Sequence, residues 1–212
     1  MPTRLPTTLH VYPFSRLVNA RPSRWEKMLA EMEADRDRAY VYYQPMREAV
    51  VRLCASGGQD RERIVAKLAS DAGRIRPGRG QDPVRDNLKA FDAFTQFFLP
   101  RIGSFKKSLL RQDQEGGIDF EGIRITGLPH FIAEDRRGHL RYVFLYPSAW
   151  DKDDLNAYLQ VLAEIIRVRF DAKPASMWCM NLRTGKTHRW RSGIQTRNRC
   201  VEAARHYRRL AG

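Results

Sequence analysis

The stretch from Gly122 to Ser148, GIRITGLPHFIAEDRRGHLRYVFLYPS, decides the fold class. Ile123 and Ile125, then Phe131 and Ile132, read as strand. Glu134-Asp135-Arg136-Arg137-Gly138 supplies a turn, and Leu140 to Tyr146 (LRYVFLY) a second apolar strand, so the segment predicts a hairpin through Gly138. Downstream, Asp151-Lys152-Asp153-Asp154 puts acids at the positive end of a helix dipole. Leu155, Tyr158, Leu159, Leu162, Ile165 and Ile166 then recur at i, i+3, i+4 spacing, an amphipathic stripe that predicts packing on a sheet. Ala175 to Leu182 (ASMWCMNL) reads as a further strand, Arg183-Thr184-Gly185-Lys186 as a tight turn, and Thr187 to Arg191 (THRWR) as the returning strand.

Upstream the chain reads mostly helical. Ser23 is the expected cap of a helix with the stripe Trp25, Met28, Leu29 and Met32. Pro45 suits the first turn of a second helix, with Met46, Ala49, Val50 and Leu53 inward, that ends at Gly57-Gly58. Asp60 opens a third, and Asp82-Pro83 a fourth whose Val84, Leu88, Phe91, Phe94 and Phe98 form a core face rather than a stacking platform. Ile102 to Leu110 is strand-like, and Ile118 to Phe120 leads into the hairpin region. The expected organisation is residues 1–83 as an N-terminal arm and helical region packed on the core, and residues 84–212 as an α/β core with a basic C-terminal helix. The first 25 residues carry Arg4, Arg16, Arg21 and Arg24 with no acid, but Pro2, Pro6, Pro13 and Pro22 argue for an extended arm.

The sequence of signals resembles the PD-(D/E)XK nuclease superfamily, including its RecB-like and CRISPR-associated exonuclease members. The resemblance covers about Asn87 to Leu210 and rests on Gly127-Leu128-Pro129, on element order, and on the Leu182-Arg183-Thr184-Gly185 turn. It implies a mixed central sheet flanked by helices, with Ile125 and Val143 in one sheet. It also implies an active site that has lost its chemistry. His130 stands at the first carboxylate position, Phe144 at the second, and Tyr146 at the lysine. Mg²⁺ needs hard oxygen ligands, and none of these three side chains supplies a carboxylate. Tyr158 and Gln160 lie on the helix where the family has a Gln-x-x-x-Tyr-like pattern, in a different order. The helix that often supplies a further glutamate has only Asp86 and Asp92 here. Carboxylates in other places, Asp119, Glu121, Glu134 and Asp135, are the residues by which an active nuclease would have to work.

With 38 Lys and Arg against 24 Asp and Glu among 212 residues, the net charge is +14, which favours phosphate polyanions or an acidic partner. The basic candidates for nucleic-acid contact are Arg183, Lys186, Arg189, Arg191, Arg197, Arg205, Arg208 and Arg209, then Arg74, Arg76 and Arg79 in a proline-bounded loop, and Lys106 and Lys107. On the last helix Cys200, Val201, Ala204 and Tyr207 make the inward face, leaving Arg197, Arg205, Arg208 and Arg209 outward. Cys54, Cys179 and Cys200 are odd in number and far apart, so they read as buried free thiols rather than a disulfide framework. The histidines show no metal-ligand spacing with them. No cofactor or metal is expected, and no apolar run approaches the roughly 20 residues that span a bilayer. The expected setting is cytoplasmic.

The expected function is therefore an inactive nuclease-like protein that binds DNA or RNA through a basic face, as a non-catalytic subunit of a processing or defence assembly. The alternatives are a structural adaptor whose basic face meets an acidic protein, and an active metal-dependent nuclease with displaced carboxylates.

Overall fold

The computed structural model describes residues 8–78, 80–110, 117–146, 152–182, 184–191 and 193–211, with the side chains of residues 32–40 outside that description. The chain is mixed α/β, with seven helices around a five-stranded and a three-stranded sheet among the described residues. Among the described residues the chain begins with strand β1 (Thr8–His10) and helix α1 (Val11–Leu17), so that part of the expected extended arm is helical. Pro13 is compatible with α1 because it sits in the first turn, where backbone N–H groups have no intrahelical acceptor. His10 caps this helix, its Nδ1 accepting from the Tyr12 N–H at 3.3 Å.

Helices α2 (Trp25–Tyr42), α3 (Gln44–Ala55), α4 (Arg61–Gly73) and α5 (Pro83–Phe97) follow. Ser23, expected to cap α2, lies inside a 3-10 turn (Pro22–Arg24), and no side chain caps that helix. Asp82 does cap α5, accepting from the Arg85 N–H at 3.0 Å, with Pro83 at the first helical position. The α2–α3 corner is tied to α5 by buried Asn87, whose amide donates to the Tyr42 and Pro83 carbonyls and accepts from the Met46 N–H.

The five-stranded sheet runs in the order β2 (Ile102–Ser108), β5 (Phe131–Asp135), β6 (Leu140–Tyr146), β7 (Met177–Asn181), β8 (Thr187–His188). β5 and β6 form the antiparallel hairpin read from sequence, and β7 returns parallel to β6 after helix α6 (Lys152–Phe170). Alternation along the strands divides the core. Val143, Leu145, Phe131, Ala133 and Met180 face α3, α4 and α5, while Tyr142, Phe144, Tyr146 and Cys179 face α6. The returning strand is shorter than THRWR suggests. Only Thr187 and His188 pair with β7, and Trp190 leaves the ladder to pack half-buried on the α6-side core.

β3 (Gly117–Phe120) and β4 (Ile123–Thr126) belong to a second sheet ordered β1-β4-β3. Ile125 and Val143 thus lie in different sheets, contrary to what the nuclease resemblance implies. The cause is pairing: β4 has both edges occupied, by β1 in parallel and β3 antiparallel, and cannot also join β6. The chain crosses between sheets at Gly127-Leu128-Pro129. A Cβ at Gly127 would come 2.8 Å from Val11 Cγ1, so only glycine lets the crossing run this close to α1. Helices α1 and α7 (Ile194–Ala211), with β3 and β4, cover the remaining sides of α6, and every residue from Ala157 to Ile166 is buried. The one-sided stripe expected for this helix is therefore a helix enclosed all round.

Helix α7 (Ile194–Ala211) closes the α6 side with Cys200, Ala203, Ala204, Tyr207 and Ala211 inward. Residues on both sides of position 83 share these cores: α3 and α4 with α5, and β1 and α1 with α6.

Candidate nucleic-acid interface

His130, just before β5, and Phe144 and Tyr146 on β6 lie at adjacent strand positions; Phe144 and Tyr146 are core residues and His130 is half-buried. The His130 N–H donates to the Val143 carbonyl at 2.8 Å, and its Nδ1 accepts from the Leu145 N–H at 3.1 Å. The ring thereby fastens the start of β5 to β6 in the neutral, Nε2-protonated tautomer. Phe144 is 1 % exposed. Tyr146 stacks at a tilt on Tyr158 at 5.5 Å and lies 6.0 Å from the His188 ring. Burial pushes its phenol well above the usual range, reinforced by Cys179 and opposed by the nearby Asn181 side chain.

The displaced carboxylates are split between two turns, each held by protein groups. Asp119 Oδ1 accepts from the Gly122 N–H at 3.0 Å, and Glu121 pairs with Arg205 at 2.8 Å. At the far end of β5, Glu134 pairs with Lys106 at 2.8 Å. Asp135 accepts from the Arg137 and His139 N–H groups and from both Nε and Nη2 of Arg141. Burial alone would raise the Asp135 carboxyl, but those backbone donors and the Arg141 fork hold it well below the usual carboxylate range. Among the described residues no three His, Cys, Asp or Glu side chains form a set that could hold a metal ion.

The basic candidates separate into distinct places. Arg197, Arg205, Arg208 and Arg209 stand on the outward side of α7, all exposed. Arg205, Arg208 and Arg209 line an open groove of about 680 Å³ with Glu121 and Glu202. The groove is built by α7 against the β3–β4 turn. Gly122, at φ +82, adopts the left-handed backbone that glycine favours, and the end of the Arg208 side chain lies over it. Arg209 Nη2 sits 3.4 Å from His206 Nδ1, and Arg197 Nε lies 3.5 Å from Glu164. Lys186, Arg189 and Arg191 are exposed on the segment leading into α7. Arg74 and Arg76, exposed at the end of α4, belong to the helical layer on the opposite face of the five-stranded sheet and do not extend the α7 surface. Lys106 and Lys107 lie on the edge strand β2. Arg79 and Arg183 lie outside the described residues, as does Asp151 at the start of α6.

Glu121 was legible only as a stray carboxylate, and its partnership with Arg205 spans 84 positions, so no local signal announces it. The same holds for Arg199, which donates to Asn19 Oδ1 at 3.2 Å, while Asn19 donates to Asp154 at 3.0 Å and ties α1 to α6. The cysteines are all buried and free. Burial pushes the Cys54 and Cys200 thiols up to about 12, and Cys179 further. Among the described residues no helix is long and apolar enough to cross a membrane. No family model matches the chain, and no curated protein or solved structure matches it either.

Proposed function

We propose that this protein binds nucleic acid through the outward arginines of α7, as a non-catalytic component of a nucleic-acid-handling assembly. The observation that carries the reading is the groove formed by Arg205, Arg208 and Arg209 against the β3–β4 turn. Guanidinium forks suit phosphate oxygens, and three of them converge on one open surface. The adaptor alternative is less well supported. Stable protein interfaces are organised around buried aromatic or aliphatic anchors, and the described residues that line the groove are Arg and Glu. Phosphate contacts need no such anchor, and they position a strand without reading its bases. The PD-(D/E)XK kinship is not required for this reading. Its requirement that Ile125 and Val143 share a sheet is not met.

Gel retardation of single- and double-stranded DNA and RNA over a salt series tests the reading. Retardation is expected at about 50 mM salt and should fall steeply as salt rises, as counterion release demands. Failure to retard any of the four ligands at that salt would hand the lead to an acidic protein partner. With Mg²⁺ or Mn²⁺ added, the nucleic acids should remain uncut. Cleavage that survives an orthogonal purification step and is lost in Glu121→Ala or Asp119→Ala would instead establish the displaced-carboxylate nuclease.

A further inference from the structure

We propose that Glu121 is a resident competitor for phosphate: its carboxylate accepts from Arg205 Nε, and nucleic acid binds by displacing it from that donor. The inference rests on the proposed binding function and adds the residue that sets its strength.

Two independent observations carry it. The first is the backbone. β3 and β4 are joined by the two-residue turn Glu121-Gly122, with φ +54 and +82. Positive φ at both central positions is the hairpin turn that favours Asn-Gly or Asp-Gly, because short side chains tolerate the left-handed region. Glutamate is a poor choice there on conformational grounds. A strained residue at a surface turn points to a role beyond making the turn.

The second observation is what its side chain does. Glu121 Oε2 lies 2.8 Å from Arg205 Nε, within the groove that Arg208 and Arg209 also line. The side chains are 31 % and 65 % exposed, so water and salt reach the pair. An ion pair at that exposure adds little to stability and is readily broken. A carboxylate is also the side-chain group nearest to phosphate in the way it accepts from a guanidinium. Glu121 therefore holds the Arg205 side chain in place and screens it, and a phosphate oxygen can take over the same donor. With two glutamates among its lining residues the groove carries one net positive charge, and neutralising Glu121 raises that to two.

Fluorescence anisotropy with labelled single-stranded and duplex oligonucleotides tests this on the full chain. The proteins compared are wild type, Glu121→Gln, Glu121→Asn, Arg205→Ala and the Glu121→Gln/Arg205→Ala double variant. Glu121→Gln should bind up to about fivefold more tightly, the upper end of what an exposed ion pair is worth. Its salt slope on duplex should steepen by about 0.9, one additional phosphate contact. In the Arg205→Ala background the gain should shrink below about twofold, as expected if Glu121 acts through Arg205. Glu121→Asn should bind more tightly than wild type and melt at or above its temperature, because asparagine suits the turn. A merely structural pair would give lower melting temperatures in both Glu121 variants and no gain in binding. Wild-type binding that Glu121→Gln leaves unchanged or weakens, or a gain undiminished by Arg205→Ala, overturns the inference and leaves the binding function standing. Absence of binding by both wild type and Glu121→Gln overturns the two together.

Discussion

Tyr146 and Arg205 each present a polar group at the end of an element, yet their surroundings assign them opposite work. Tyr146 ends the central strand β6, 3 % exposed between Tyr158 and His188. Arg205 stands on α7 with most of its side chain in solvent and one carboxylate beside it. Around the first, a charge would have to be desolvated, and the position is filled with rings. Around the second, charge remains hydrated, and removing it costs the fold little. The β5–β6 interior is thus where stability resides, and the α7 face is where an external anion can be met.

The largest expected effect breaks the first half of that division. Phe144→Ala should destabilise the fold by about 3–5 kcal/mol, the cost of an emptied aromatic site, as read by urea unfolding. The fraction that stays folded should bind oligonucleotide as wild type does. If binding falls while stability holds, the β6 region is a functional site and the division is wrong.

Replacing Arg205, Arg208 and Arg209 together by alanine should act in the opposite sense. Affinity should drop at least tenfold, about 1.4 kcal/mol, and the salt slope on duplex DNA should flatten by roughly 2 to 3. The melting temperature should stay close to that of wild type, since the inward face of α7 is made by other residues.

Asp135 sharpens the stability side through pH. Its carboxyl titrates lower in the folded chain than its unfolded value of about 3.9. The pair with Arg141 therefore contributes fully above that pH and is lost as pH falls through the folded value. Asp135→Asn should be less stable than wild type at neutral pH, and the two stability curves should converge below about pH 3.9. Curves that stay parallel down to acid would mean that the charge on Asp135 does not matter. The smallest effect belongs to Arg74 and Arg76. They lie across the five-stranded sheet from α7, and replacing both by alanine should change affinity by less than about twofold, near the limit of additivity for distant sites. An effect matching the α7 triple variant would mean that the ligand wraps the molecule.

How far the sequence could be read follows from the range of each interaction. The β5–β6 hairpin, α5 with its Asp82-Pro83 start, and the inward and outward sides of α7 were all legible, because capping, turn chemistry and side-chain periodicity act within a few residues. The burial of the three cysteines followed from the same patterns. Ser23 misled, because a good capping residue does nothing once Pro22 starts a 3-10 turn one position earlier.

What the sequence by itself determined is therefore the α/β class, most of the elements and the cationic character of the C-terminal helix. Only the tertiary structure decided that β4 joins β1 instead of β6, that α6 is enclosed on all sides, and that Arg74 and Arg76 stand apart from α7. It also brought Glu121 to Arg205 across 84 positions. Strand partners and ion pairs at such separations are chosen by the closure of the whole chain, and local pattern carries no record of that choice.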